Sequence, residues 1–271
     1  MIENDSQQLF VVNGDLVESL LRGDKGSVDP NKAAIEASDG LARGVALADH
    51  GHIDQAIRAL EEAFARGENP VEIQTALGHL RFEQENWSAA EAHYSKAMQL
   101  EPMHPTVHYN LALCLQRQSK FQAALEAFEA ALAVDPKRWQ AHFGRGWCLL
   151  KLEQPEPALV ALQAAEKDIL HGYEDSGPRI QFGKAVALHM LGRMEDALEL
   201  YKSLLPQMPG SVELLSNLVT MYHVRGDASQ VFEFAERLLR IQPKSATALQ
   251  AVTAAALSRG DFPARILRSV P

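Results

Sequence analysis

Along most of the chain, large apolar residues recur three and four positions apart, the spacing that gathers side chains on one face of an α-helix. They fall in paired runs separated by short polar turns such as DHGHID, QENW and LGRMED. Within residues 71–104, Leu77, Leu80 and Phe82 mark a first helix, and Ala90, Tyr94 and Ala97 a second. Gly51, Gly192 and Gly226 stand where a helix would take its C-cap. The pairs repeat. Residues 121–136 read FQAALEAFEAALAVDP, and 34 residues earlier the chain reads WSAAEAHYSKAMQLEP, with the same aromatic, alanine and acidic-proline skeleton.

Rows of 34 residues laid from Ala37 hold this register. They start at Ala37, Val71, Pro105 and Trp139, and resume at Pro178 and Val212 after the five-residue insertion YEDSG, with a partial row from Ala246. The eighth place carries Gly44, Gly78, Ala112, Gly146 and Ala185, and the twentieth Ala56, Ala90, Ala124, Ala158 and Ala197. Larger residues fill the twenty-fourth place (Leu60, Tyr94, Phe128, Leu162 and Tyr201), and alanine the twenty-seventh (Ala63, Ala97, Ala131 and Ala165). Prolines close three rows, at Pro102, Pro136 and Pro209. Small residues at fixed places let helices approach to about 8–10 Å. A lone helix pair of this size cannot bury its apolar face, so neighbours must stack on it.

The register resembles the tetratricopeptide repeat family, whose period is about 34 and whose pattern runs aromatic, Leu-Gly, aromatic, then Ala, aromatic and Pro. The resemblance covers 37–245 closely and the final 26 residues loosely. It implies an all-α fold, a right-handed α-solenoid of antiparallel helix pairs. The expected organisation is a capping or arm segment at 1–36 and six repeats at 37–70, 71–104, 105–138, 139–172, 178–211 and 212–245. Residues 173–177 are the insertion, and 246–271 a partial seventh repeat or cap. The first aromatic of the pattern is replaced by Gly40, Gln74, His108, His142, Gln181 and Leu215. Row six exchanges small residues for Val219, Val231 and Leu238, which predicts looser packing there than in rows two to four.

Outside the register, DLVESLLR has the pattern of a short amphipathic helix, and Asp29-Pro30 that of an N-cap with proline at the first helical position. From there KAAIEASDGLARGVALA can run on as one helix into row one. The stretch QQLFVV reads either as part of this cap or as an exposed arm. Leu170 in place of the closing proline predicts that the second helix of row four runs on to about His171.

Composition narrows the function. A formal charge of −9 argues against nucleic acid and anionic membranes as partners. The acidic start MIENDSQQLF has no secretory pattern, and no apolar run is long enough to span a bilayer, so a cytoplasmic location is expected. Cys114 and Cys148 share the tenth place of their rows and read as small buried apolar residues. His104 and His108 lie four apart, but His104 precedes Pro105, outside the helix of His108, so no metal site is expected. GRGWCL at 144–149 has two glycines inside a helix and no preceding strand, which removes a dinucleotide loop. No catalytic constellation and no cofactor site emerge, and the chain is expected not to be an enzyme.

By the resemblance, the second, fifth, ninth, twelfth and thirteenth places of the first helices line the concave groove that holds peptides. Row two supplies Phe82; row three Tyr109 and Arg117; row four Phe143, Trp147, Leu150 and Lys151; row five Arg179, Phe182 and His189. Tyr109, Phe143 and Phe182 could equally pack between helices. Asn110 and Asn217 hold the sixth place, where family members use asparagine on a ligand backbone. The carboxylate clamp for chaperone tails needs Lys and Asn, Asn, then Lys and Arg on successive helices. Here Thr75 and His79 precede Asn110, and Gln140 and Gly144 follow, so that specificity is not expected. The expected function is a protein-interaction scaffold for a peptide with apolar anchors and acidic flanks, held across rows three to five. The alternative is the recognition arm of a larger glycosyl- or sulfotransferase.

Overall fold

The computed structural model describes residues 39–169 and 176–258. Those residues form thirteen α-helices and no strand. The chain divides into two compact units, Met1–Gln154 and Pro155–Pro271, so the division falls between the two helices of row four and not at a row boundary. The first unit holds α1 (Gly40–Asp49), α2 (Ile53–Ala65), α3 (Pro70–Glu83), α4 (Trp87–Leu100), α5 (Pro105–Arg117), α6 (Phe121–Val134) and α7 (Trp139–Lys151). The second holds α8 (Pro155–Asp168), α9 (Gly177–Met190), α10 (Met194–Leu204), α11 (Val212–Arg225), α12 (Ala228–Ile241) and α13 (Ala246–Ser258).

Within the first unit every helix packs on the next in sequence, and the first helices α1, α3, α5 and α7 also adjoin one another. The reason lies in the repeated places. Every residue named above at the eighth, twentieth, twenty-fourth and twenty-seventh places is buried. A Cβ added at Gly44 would stand 2.4 Å from Leu60, and one at Gly78 would stand 2.7 Å from the Tyr94 ring. The eighth place is therefore small because the twenty-fourth-place side chain of the same row lies against it. In the second unit the order is the same, with α11 touching both α12 and α13. Row six follows its expectation in part. Its two helices approach over fewer residues than those of rows two and three, yet Val219, Val231 and Leu238 are buried as completely as the residues they replace.

Helix ends follow the row more than the local sequence. α4, α6, α8 and α12 all stop at the thirtieth place: Leu100, Val134, Asp168 and Ile241. The expected run of α8 to His171 is thus not seen: the helix ends at Asp168 without a closing proline, and Leu170 and His171 lie outside the described residues. At the other end, one continuous helix into row one is also not formed. Asp39 is extended and its side chain accepts from the Leu41 N–H at 3.0 Å, so it starts a new helix at Gly40. The segment 1–36, including QQLFVV, and the residues after Ser258 lie outside the described residues.

The fifteenth place is left-handed in every row. Gly51, Gly192 and Gly226 take it with φ of 78°, 73° and 76°, as their spacing suggested. Glu85, Ser119 and Glu153 adopt the same conformation with side chains that strain it, at φ of 57°, 59° and 58°.

Candidate functional site

The candidate surface of the first unit is one face of α1, α3, α5 and α7. One contact shows that its places adjoin across rows. The Arg117 guanidinium of α5 lies 5.8 Å over the Phe82 ring of α3. His79 of α3 lies within electrostatic range of Asp49 on α1 and of Glu83. Burial nevertheless holds the His79 imidazole below its ordinary pKa, outweighing both carboxylates. The face is polarised: Asp49, Glu72 and Glu83 are exposed at the row-one and row-two end, Arg117 and Lys151 at the other.

The structure sorts the sequence candidates. Arg117 and Lys151 are exposed, and Trp147 is partly exposed beside the partly exposed Leu113 and Gln116. Phe82, Tyr109, Asn110, Phe143 and Leu150 are buried. Phe82 packs edge-on against Trp87 at 4.6 Å beneath Arg117. Tyr109 lies between the Phe128 ring at 6.0 Å and the Arg138 guanidinium at 4.4 Å. Phe143 meets Trp147 edge-on at 6.1 Å. The fifth-place aromatics of this unit, for which spacing left packing or ligand contact open, lie against neighbouring rings. Sheathed in neighbouring rings, these side chains shape the face from below and offer a partner little surface.

Asn110, the candidate for a ligand backbone, is 1% exposed. The sixth place turns toward the twenty-fourth-place residue of the preceding row. In the second unit the Asn217 amide donates to the Tyr201 hydroxyl at 3.1 Å; Asn110 holds the equivalent place opposite Tyr94, but the buried Tyr94 hydroxyl has no hydrogen-bond partner among the described residues. Of the row-five candidates, Phe182 is buried against Tyr201, with ring centroids 5.8 Å apart. Arg179 and His189 are partly exposed, and burial lowers the pKa of His189. All three belong to the second unit.

Two of the histidines brace row ends. His108 and His142, at the fourth place of rows three and four, bond through Nε2 to the carbonyls of Pro102 and Pro136 at 2.6 and 2.9 Å. Each braces the turn that closes the preceding row. No group of His, Cys, Asp or Glu suited to a metal occurs among the described residues. Cys114 and Cys148 are free and buried. Burial pushes the Cys114 thiol up to about 11 and the Cys148 thiol up to about 12. The Cys114 thiol donates to the Trp87 carbonyl at 3.0 Å, beside a Glu91–Lys120 ion pair of 2.8 Å that Gln118 joins.

Sequence reasoning missed one residue that shapes the site. Gly144 reads as part of a spurious glycine loop, yet its Cα abuts the Phe128 ring so closely that an added Cβ would stand 2.3 Å away. The signal was present: Gly144 holds the same sixth place as Asn110, opposite the largest apolar twenty-fourth-place residue in the chain.

A family model described as "Tetratricopeptide repeat" matches residues 41–97, 109–172 and 160–212, more than half of the chain, and one described as "TPR repeat" matches 78–119. No curated protein matches the sequence. Among solved structures, YrrB, described as a TPR protein with an unusual peptide-binding site, is 24% identical with a TM-score of 0.58, over 71% of this chain and 97% of that one. A tetratricopeptide repeat protein from Parabacteroides merdae is 18% identical with a TM-score of 0.64, over 86% and 88%. PilF from Pseudomonas aeruginosa is 18% identical with a TM-score of 0.63, over 82% and 96%. At these identities the likeness is one of fold. No helix among the described residues is long and apolar enough to cross a membrane.

Proposed function

Since the chain belongs to the tetratricopeptide repeat family, whose members generally serve as protein-interaction scaffolds, we propose that it is a non-catalytic scaffold holding a peptide segment of a partner protein on the first-helix face of its first unit. The observation that carries this reading is the surroundings of Trp147. A partly exposed tryptophan and Leu113 lie on the face that also carries the exposed Arg117 and Lys151, in a chain whose net charge is −9. Among the described residues Arg117 and Lys151 make no ion pair, whereas Lys120, Arg145 and Arg66 do. Aromatics in such a setting tend to become binding hot spots, and unpaired cations steer acidic partners. The partner is a segment with an apolar anchor and acidic flanks, bound across rows three and four.

The test is capture of partners by the full chain, read by mass spectrometry beside its Trp147→Ala and Lys151→Glu variants. Proteins that the wild type retains and both variants lose, at unchanged helicity and melting temperature, are the expected result. Equal capture by all three folded chains moves the site away from this face.

A further inference from the structure

We propose that Arg138 is a specificity-determining residue of the α5 and α7 face, taking one carboxylate of the partner while the Arg117 and Lys151 end takes another. The segment between them lies extended along the two helices, in the order acidic, any residue, apolar, any residue, acidic. The inference rests on the reading of that face as a peptide site, and it names the pattern that site selects. It starts from an unbalanced charge. Arg138 is partly buried just ahead of α7, and its guanidinium lies 4.4 Å over the Tyr109 ring of α5. Among the described residues it makes no ion pair and no side-chain hydrogen bond. Asp135 is within electrostatic range, but its Oδ1 already accepts from the Lys137 N–H at 3.2 Å. Burial holds the Arg138 pKa below the ordinary arginine value, against the pull of Tyr109 and Asp135. The guanidinium nonetheless stays charged at neutral pH. A partly desolvated cation short of counter-charge is what a carboxylate brought by a partner would complete.

The helices set what lies beyond that carboxylate. Tyr109, Leu113 and Arg117 follow one another at four-residue steps on α5, and Phe143, Trp147 and Lys151 at the same steps on α7. Residues four apart share a helix face and stand about 6 Å apart along its axis. α5 and α7 adjoin, so the two ladders run side by side. From the Arg138 end to the Arg117 and Lys151 end the surface therefore reads cation, apolar, cation, with Leu113 and Trp147 partly exposed in the middle. An extended segment advances about 6–7 Å for every two residues and turns alternate side chains to one side. It thus offers carboxylate, apolar side chain and carboxylate in step with the ladders. A helical segment matches the rise only with residues four apart. Those drift about 40° per step around its axis, so its outer carboxylates splay by about 80°. The extended form is the better fit.

The probes are two fluorescein-labelled peptides of equal composition, read by anisotropy against the full chain. In one, glutamates stand two residues either side of a central leucine; in the other, four. The first should bind wild type at least about tenfold tighter, since the second forfeits one charge-assisted contact. Replacing either glutamate of the first probe by glutamine should weaken it on wild type. In the Arg138→Gln chain one of those replacements should cease to matter while the other still does. In the Arg117→Gln/Lys151→Gln chain the roles should exchange. An Arg138 that merely supports the fold would lower the affinity of every probe alike and leave that pattern unchanged, which overturns the proposal. The wild-type measurements decide by themselves should a variant fail to fold. A single glutamate that matters, a four-residue probe that binds as tightly, or no saturable binding of either probe also overturns it. Binding that depends on Trp147 and Lys151 but not on Arg138 removes the Arg138 contact alone; if partner capture ignores Trp147 and Lys151 as well, the peptide-site reading falls with it.

Discussion

Gly144→Ala should destabilise the protein, although alanine is the better helix former. The two effects can be sized from the structure. In a helix interior the exchange gains about 1 kcal/mol of propensity. Against it, the new methyl would stand 2.3, 2.6 and 2.8 Å from three atoms of the Phe128 ring, where ordinary contact is 3.4–4 Å. The ring cannot swing aside: Phe128 is fully buried and Tyr109 lies against it. Relief must come from moving α7 off α6, and overpacking of this kind costs about 1–3 kcal/mol. With three ring atoms inside 3 Å the cost falls in the upper part of that range, about 2–3 kcal/mol, which leaves a net loss of about 1–2 kcal/mol and lowers Tm by roughly 2–8 °C. The internal control is Gly183, at the same place of row five, where an added Cβ would stand 3.1 Å from the two methyls of Leu162. Those methyls can give by a few tenths of an ångström, so Gly183→Ala should leave Tm unchanged or raise it.

Thermal unfolding followed by circular dichroism separates the outcomes. Adding Phe128→Leu to Gly144→Ala should recover stability, because the chain already contains that combination: Ala76, at the sixth place of row two, packs against the cluster holding Leu60. Phe128→Leu alone leaves a cavity, so the two changes should be strongly non-additive. A Gly144→Ala protein as stable as wild type, or a double variant with simply summed losses, would refute the close approach of α7 to Phe128.

Other consequences follow from the same contacts. Glu153→Gly should stabilise by about 1 kcal/mol in denaturant titration, by relieving a left-handed residue at the fifteenth place. Tyr201→Phe should cost about 1 kcal/mol by stranding the Asn217 amide, whereas Tyr94→Phe should be neutral or stabilising, since the buried Tyr94 hydroxyl has no hydrogen-bond partner among the described residues. Cys114 and Cys148 should label slowly with a thiol reagent in the native chain and rapidly in denaturant. Their thiols ionise near pH 9 when unfolded but only at about 11 and 12 when folded, so stability should hold below pH 9 and fall as pH rises through those values.

The period of the chain was legible because burial at the repeated places depends on side-chain size, and size is written in the sequence. Places eight, twenty, twenty-four and twenty-seven are all buried, and three of the six left-handed residues at the fifteenth place were marked by glycine. The site was legible only in part, for a reason the fifth place illustrates. Helical spacing tells which residues share a face, but not how much of that face a long neighbouring side chain will cover. Arg138, just ahead of α7, lies over Tyr109, and Arg117 lies over Phe82; neither contact follows from a period of 34 residues. The same arginine that hides one candidate becomes another, since Arg117 keeps its charge exposed while its guanidinium covers Phe82. At the α5 and α7 end, aromatics beneath and cations above give a surface that is apolar in substance and basic in what it presents. Such a face should admit an acidic segment first by charge, and hold it by whatever apolar anchor reaches Trp147.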